Sequence, residues 1–596
     1  MRTALFYKVT TQTITHLKQK SCLLLFLLGF SISVIAQSLT PVGQGGVYLE
    51  LNHWIYDFLQ RQYIKGNLKQ VYLDARPAAR VELAKYVAEL AEKRHQLNPV
   101  EREQVNFCLR EFSDELKRLG GEKPTPTPDA FYKTEIERVL SSVQSLIPNF
   151  TFENGRNLLA VESDEFTANF DFVAGSTFRR GSLDSSAFQR EDRLTNGAMV
   201  WGRIGERLDY YINIRDNALR TNSEFPREVF ALPRYGFALS RQFGFAYHDE
   251  TVAYLKVSTE HLEIAYGKFS NQWGAGKTGS LILSDYATSY NQLLLRLKIW
   301  KLKYTSVFAE LIDYEYRTNL SIPQNKKYFA AHRLDIQFHP NINFGLYESI
   351  IIAGRGFDIG YLNPIMFYRS IEHYYGSPDN AAIGADFNWR IVPTVALYGQ
   401  IFIDDLTTGK LGTGFWGNKL AYLSGVYIVD PFEIQNIDFR IEYARVDPYT
   451  YTRSATRPQD NATAYLHYGT QLGYFTPPNS DYLWLEARYR FTKQLIASVS
   501  YSRYRHGANP DSLTNVGGDV LLSRRPELDS EFVRFLGGAL GVRHEVRASL
   551  SFELIRNLFL NGWLSYQGSR NFFVQSRNRR ENFSGMIWYL GAELNI

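Results

Sequence analysis

Gly274, Gly276 and Gly279 stand in the run Gly-Ala-Gly-Lys-Thr-Gly, which matches the GxGxxG spacing that brings backbone amides against a dinucleotide pyrophosphate. Gly276-Lys277-Thr278 also resembles the end of a phosphate loop. Neither chemistry has the elements it needs. A dinucleotide loop opens a helix, whereas Leu281-Ile282-Leu283 and a strand-like run from 292 follow here, and a phosphate loop requires glycine at 271, where Asn271 stands. The 11 histidines make no HExxH motif and no close cluster with cysteine, so no metal centre is expected. No GxSxG elbow occurs. No motif therefore supports an enzyme or a bound cofactor.

A different chemistry is concentrated in three connecting segments. Arg355, Asp358, Tyr361, Asn363, Tyr368, Arg369, Glu372, Asp379 and Asn380 share one of them; Trp273, Asp285 and Tyr286 lie in another, and Trp416 in a third. Rings that offer an apolar face, flanked by fork-shaped guanidinium, carboxylate and amide groups, are the residue types that recognise sugars. These residues are the carbohydrate-binding candidates. The competing reading is that the same segments fold inward as a plug whose polar groups satisfy one another.

The elements that hold these segments follow from two hydrophobic periods. Residues 47 to 121 carry helical spacing. Val47, Leu51, Trp54, Ile55, Phe58 and Leu59 form one stripe, and a second helix starting at Pro77 carries Val81, Ala84, Val87 and Leu90. A third has Asn98 as N-cap, Pro99 at the first helical position and Glu101 completing a capping box. Gly120-Gly121 end it, and the proline-rich run 123–128 reads as a stiff linker within residues 122–167, which allow one further helix.

From about 168 to 596 the period is two. Leu208, Tyr210, Ile212 and Ile214 alternate with Asp209, Tyr211, Asn213 and Arg215, and Met586, Trp588, Leu590, Ala592 and Leu594 alternate similarly. Short joints near 205–207, 259–260, 301–302, 339–341, 391–393, 430–432, 492–493 and 556–557 separate longer segments. These are 179–196, 217–250, 269–291, 315–329, 353–380, 405–417, 448–480, 506–539 and 568–584. Counting the apolar stretch 464–475 inside a loop gives 18 strands. The expectation is an all-β transmembrane barrel of about 18 antiparallel strands with a small N-terminal α-helical bundle. An even count puts both barrel ends in the periplasm, beside the bundle, with the long loops outside. A soluble sandwich or propeller would also alternate, but neither explains the aromatic abundance, 15% of the chain, or the loop asymmetry.

Composition supports export. Arg2, Lys8, Lys18 and Lys20 precede an apolar run from Cys22 to Ile35, and Val34-Ile35-Ala36 reads as a cleavage site, so residues 1–36 are a secretory signal peptide. Without those four basic residues the formal charge falls from +5 to +1, which disfavours a nucleic-acid partner. Only Cys108 remains, so no internal disulfide is expected in an oxidising compartment. Closing the barrel pairs every backbone donor without one.

Three pieces of sequence resemble the capsule assembly protein Wzi family. They are Tyr72-Leu73-Asp74-Ala75-Arg76-Pro77 leading into Val81-Glu82-Leu83-Ala84; Trp273-Gly274-Ala275-Gly276 with Gly279-Ser280-Leu281-Ile282-Leu283-Ser284; and Tyr361-Leu362-Asn363-Pro364 with Gly376-Ser377-Pro378-Asp379-Asn380. The resemblance implies an 18-stranded outer-membrane barrel with a helical bundle at its periplasmic mouth. It also implies a non-catalytic, lectin-like role, in which a monomer in outer-membrane lipid holds capsular or other surface polysaccharide at the cell surface. The alternatives are a sugar-permeable porin and a gliding or secretion accessory.

Overall fold

The computed structural model describes residues 45–120, 154–183, 189–221, 240–242, 245–313, 326–363, 365–376, 379–453, 462–574 and 579–595. Eighteen strands close a barrel. They are β1 (Phe166–Leu183), β2 (Gln189–Ile204), β3 (Leu208–Thr221), β4 (Phe245–Ser258), β5 (Leu262–Phe269), β6 (Tyr290–Ile299), β7 (Leu302–Leu311), β8 (Lys327–His339) and β9 (Ile342–Ala353). The second half comprises β10 (Asn380–Val392), β11 (Val395–Asp405), β12 (Lys419–Val429), β13 (Ile437–Val446), β14 (Ser480–Arg490), β15 (Leu495–Ala508), β16 (Ala539–Ile555), β17 (Leu558–Val574) and β18 (Arg579–Asn595). Each pairs antiparallel with its sequence neighbour, and β18 closes on β1 with Glu593 opposite Gly175. The alternation read from sequence is the pleat: Ile212, Ile214, Val546 and Leu590 stand exposed on the outer wall while Asp209, Asn213, Arg543 and Glu545 are buried on the inner one. Trp300, Phe338, Phe432 and Phe491 mark the short-turn end with exposed rings.

All eight short joints are observed, and the stretch 464–475 is not a barrel strand; it holds a small hairpin pairing Leu466–His467 with Thr470–Gln471. Two connections differ from expectation. Segments 179–196 and 568–584 are largely strand, because β1 runs to Leu183, β2 starts at Gln189, β17 runs to Val574 and β18 starts at Arg579. Charges there resemble loop composition. They are instead cross-strand partners, such as Arg179 with Glu191 at 3.5 Å, on ladders that continue past the apolar band.

The bundle has α1 (Trp54–Ile64), α2 (Arg80–Glu92), α3 (Pro99–Glu111) and α4 (Ser113–Arg118). The capping box on α3 is present: Glu101 N donates to Asn98 Oδ1 at 3.0 Å and Asn98 N to Glu101 Oε2 at 3.2 Å. The other two starts move. Residues 47–49 are extended rather than helical, and α2 begins at Arg80, three residues after Pro77. The extra helix allowed over 122–167 falls mostly outside the described residues.

Bundle and barrel form one compact unit. The bundle meets the barrel at or beside every short turn. Around the rim, Gly46 N donates to Asp209 (2.6 Å), Tyr48 Oη to Glu263 (2.5 Å), Lys298 Nζ to Glu82 (3.2 Å) and Tyr63 Oη to Pro340 O (2.8 Å). The circuit continues with Thr394 N to Ile64 O (3.0 Å), Asn98 to Asn436 (2.9 Å), Gln494 to Glu103 (3.3 Å) and Arg556 to Glu111 (2.7 Å). The mouth is stoppered.

Above the stopper, loop 270–289 and the described parts of loop 447–479 turn into the lumen. Gln272–Trp273 pairs as a strand with Ala75–Arg76 of the bundle. Leu281, Ile282 and Leu283 have no exposed surface, and Tyr451 Oη and Tyr465 Oη donate to the carbonyls of Leu281 (2.7 Å) and Ile282 (3.0 Å). These residues and the bundle helices belong to one continuous apolar core. Loop 354–379 goes the opposite way and lies on the outer wall of β8 to β10, carrying the short helix α5 (Tyr368–Tyr374).

Candidate functional site

The sugar-binding candidates disperse into three environments. Trp273 is fully buried beside the bundle, and Ser280 Oγ donates to its carbonyl. Its backbone is fixed by the strand pairing with Ala75, and its ring has no exposed surface. Gly274 follows with φ +107°, and a Cβ there would collide with the Gln400 amide, so only glycine fits the turn. The Gly-rich loop does cradle an anion, but a resident one. Glu442 on β13 accepts from Lys277 N at 2.7 Å, Thr278 N at 2.9 Å and Tyr398 Oη at 2.7 Å, and from the Thr278 hydroxyl. Asp285 and Tyr286 sit in the same inward loop, where Tyr286 packs edge-on to Phe475 at 6.1 Å and burial pushes its hydroxyl up to about 12. Asn380 points inward from β10 and donates to Thr463 O at 3.1 Å, which joins it to the second inward loop.

The candidates of segment 353–380 form a polar cluster of mutual ion pairs on the outer wall rather than an upward-facing crown. Arg355 pairs with Asp358 and Asp379, Tyr361 Oη donates to Asp379 at 2.8 Å, and Arg369 pairs with Glu372 at 2.8 Å. Tyr361 and Tyr368 are fully buried against each other, edge to face at 5.6 Å. Asn363 is exposed and turns its Oδ1 back to Ile365 N at 3.2 Å. The plug reading describes the inward loops and a wall-bound clasp describes this one.

Trp416 is the candidate left at the outer crown. Loop 406–418 meets loop 509–538 through the Phe415–Phe532 bridge, with Trp416 N donating to Glu531 O at 3.0 Å and Val533 N to Gly414 O at 2.8 Å. The half-buried Trp416 ring packs edge-on to Tyr449 at 6.1 Å, with the Arg524 guanidinium 5.3 Å and the Lys419 ammonium 5.7 Å from its centre. Lys410 stands 3.9 Å over Phe415 and 2.6 Å from Glu531, whose carboxyl it holds below the usual range by hydrogen bonding. Arg525 pairs with Asp529 at 2.6 Å. Trp416, Lys410, Arg524, Arg525 and Glu531 thus share one partly solvent-exposed surface, with Lys419 and Asp529 buried beneath it. Lys410, Arg524, Arg525, Asp529 and Glu531 are absent from the sequence-based candidates, although Arg524-Arg525 followed by Asp529 and Glu531 is a visible charged run. The pairing of two loops about 110 residues apart is not visible in either alone.

Aromatic and charged side chains also line the inner wall of β3 and β16 to β18. There Trp563 on β17 stacks on Tyr589 of β18 at 5.5 Å with Arg547 4.3 Å above it, and the inward Arg215 and Glu593 stay partly exposed. Among the described residues no group of three or more His, Cys, Asp or Glu is placed to hold a metal.

The family model described as capsule assembly protein Wzi matches residues 204–583. Among solved structures, the chain is similar to the Escherichia coli outer-membrane protein Wzi, a carbohydrate-binding β-barrel involved in group 1 capsule assembly. That match has 14% identity, covers 93% of this chain and 100% of that one, and has a TM-score of 0.51. It is also similar to OccAB2 of Acinetobacter baumannii, at 12% identity over 72% of this chain and 98% of that one with a TM-score of 0.40. The outer membrane protein OprD of Pseudomonas aeruginosa matches at 9% identity over 72% and 94% with a TM-score of 0.39. A search of curated proteins returned no match.

Proposed function

The chain belongs to the capsule assembly protein Wzi family, and on that premise we propose that it is a monomeric, non-catalytic outer-membrane protein that holds capsular or related surface polysaccharide at its crown. One observation carries this reading over a channel. The bundle meets the barrel at or beside every short turn, and among the described residues two loops turn into the lumen above it, which favours retention at the outward-facing aromatic and charged crown over passage of long polymer. Trp416 supplies the ring, and Arg524, Lys410 and Glu531 supply the hydroxyl-directed groups.

The test is capsular polysaccharide binding by the detergent-purified protein. Truncating a central aromatic anchor costs about 2 kcal/mol, so Trp416→Ala weakens binding by roughly 30-fold. Arg524→Ala weakens it as well, and both variants keep the heat-modifiable gel mobility of a folded barrel. Undiminished binding by Trp416→Ala would overturn the crown assignment, and a steady open-channel current from the unmodified protein in planar bilayers would favour the porin instead.

A further inference from the structure

Loop 354–379 leaves the outer rim and doubles back over the lipid-facing side of the barrel. Ala330 of β8, Ile350 and Ile352 of β9 and Ala381 of β10 are outward residues by the pleat, yet all are buried, beneath Tyr361, Tyr368 and Ile371. Two ionisable groups on the same outward faces are covered as well. Glu348 accepts from Tyr368 N and Arg369 N, each at 2.8 Å, and lies 3.1 Å from His332, whose ring contacts that of Tyr368 at 4.3 Å between centres.

The height of this cover decides what surrounds it. The outward face of β9 is bare only from Ile342 to Leu346, four rises of about 3.4 Å, which at a tilt of about 40° span roughly 10 Å along the membrane normal. An outer-membrane barrel presents an apolar band about 25 Å tall. The whole of β9 reaches roughly that height, so the loop occupies the outer half of the band in this sector. Ile365, Met366 and Phe367 directly precede Tyr368, whose amide rests on Glu348 five residues below the outer end of β9. They lie at that depth, and Ile365 is 93% exposed and Phe367 51%. The cations and carboxylates of the loop are turned onto one another instead.

We infer that loop 354–379 is a lateral membrane insert, in which Ile365, Met366 and Phe367 are covered by acyl chains of the outer leaflet. The occupant follows from continuity: the exposed apolar tip extends the lipid-facing wall of Ile342, Phe344 and Leu346 upward where the strands themselves are hidden. The loop also removes the Glu348–His332 pair from hydrocarbon, where charge on a barrel's lipid face is destabilising.

Ile365→Cys and Phe367→Cys, each in a Cys108→Ala background of the processed chain, are labelled with bimane and reconstituted in phosphatidylcholine vesicles. Leu513→Cys, 81% exposed in loop 509–538, is the aqueous control. The expected result is blue-shifted emission at 365 and 367 that is lost with dibrominated acyl chains and insensitive to iodide, with the reverse at 513. Iodide quenching at 365 and 367 without a bromolipid effect places the tip in water. Protection from both quenchers places it against a protein partner or a second copy. Either outcome overturns the inference.

Discussion

Arg61 is the sharpest test of how the stopper is held. Its guanidinium is almost wholly buried and reaches Glu101 of α3, Asp430 of the turn after β12 and Asp438 of β13, the last at 3.0 Å from Nε. Burial alone would lower its pKa, but Asp438, Glu101 and Asp430 outweigh that and hold it charged. Arg61→Met removes the shared cation. Breaking a buried ion pair costs about 3–5 kcal/mol through the charge left behind. Each carboxylate keeps a second partner: Lys65 lies 2.7 Å from both Glu101 and Asp430, and Arg490 pairs with Asp438. The lower end of the range, about 3 kcal/mol, therefore applies, and it raises the undocked population roughly 150-fold at about 1.4 kcal/mol per factor of ten. Amide hydrogen exchange in detergent reads this directly, with α1 and α3 exchanging about two orders of magnitude faster while β14 to β18 are unchanged. Acceleration below roughly threefold in the helices would refute the claim that this ion cluster locks the bundle.

Acid should release the same stopper. Burial would raise the carboxyls of Asp57, Glu82 and Glu111, but Lys277 and Arg440 at the first, Lys303 and Lys298 at the second, and Arg556 and Arg80 at the third hold each below its ordinary value. Groups depressed in this way stabilise the docked state above the unfolded carboxylate pKa of about 4, and that stabilisation is lost as pH falls through the folded values. The helical far-UV signal in detergent is therefore steady from pH 7 to about 5 and declines below about 4; insensitivity down to pH 3 contradicts the assignment. Trp273→Ala opens a cavity at the bundle–loop junction and costs about 3–5 kcal/mol, measured as a lower thermal midpoint. Loss of glycan binding at unchanged stability would show instead that this ring meets ligand.

The barrel was written in the chain in a form that local rules can read, because strand pleat and turn length act over a few residues. Ile212 and Asp209 already announce their faces, and Asn98 with Glu101 announces the start of α3. The direction taken by a long loop obeys no such local rule. Trp273 is drawn inward by Ala75, about 200 residues away, and Tyr368 is drawn outward by Glu348, whose charge within an otherwise apolar outward row on β9 was the available clue. Ile365-Met366-Phe367 was another: three apolar residues in succession inside a long loop are unusual unless something covers them. Trp416 kept its place outside because its partner loop, 509–538, rises from the neighbouring crown instead of the lumen.

The circuit of contacts around the mouth also imposes an order on biogenesis. The helices precede the strands in the chain, yet Glu111 accepts from Arg556, which lies on the hairpin turn joining β16 to β17. The anchors on β3, β5 and β6 are available early, but the last anchor of the seal does not exist until sixteen strands have been laid down. The ring of anchors around the mouth is therefore complete only on a nearly finished cylinder.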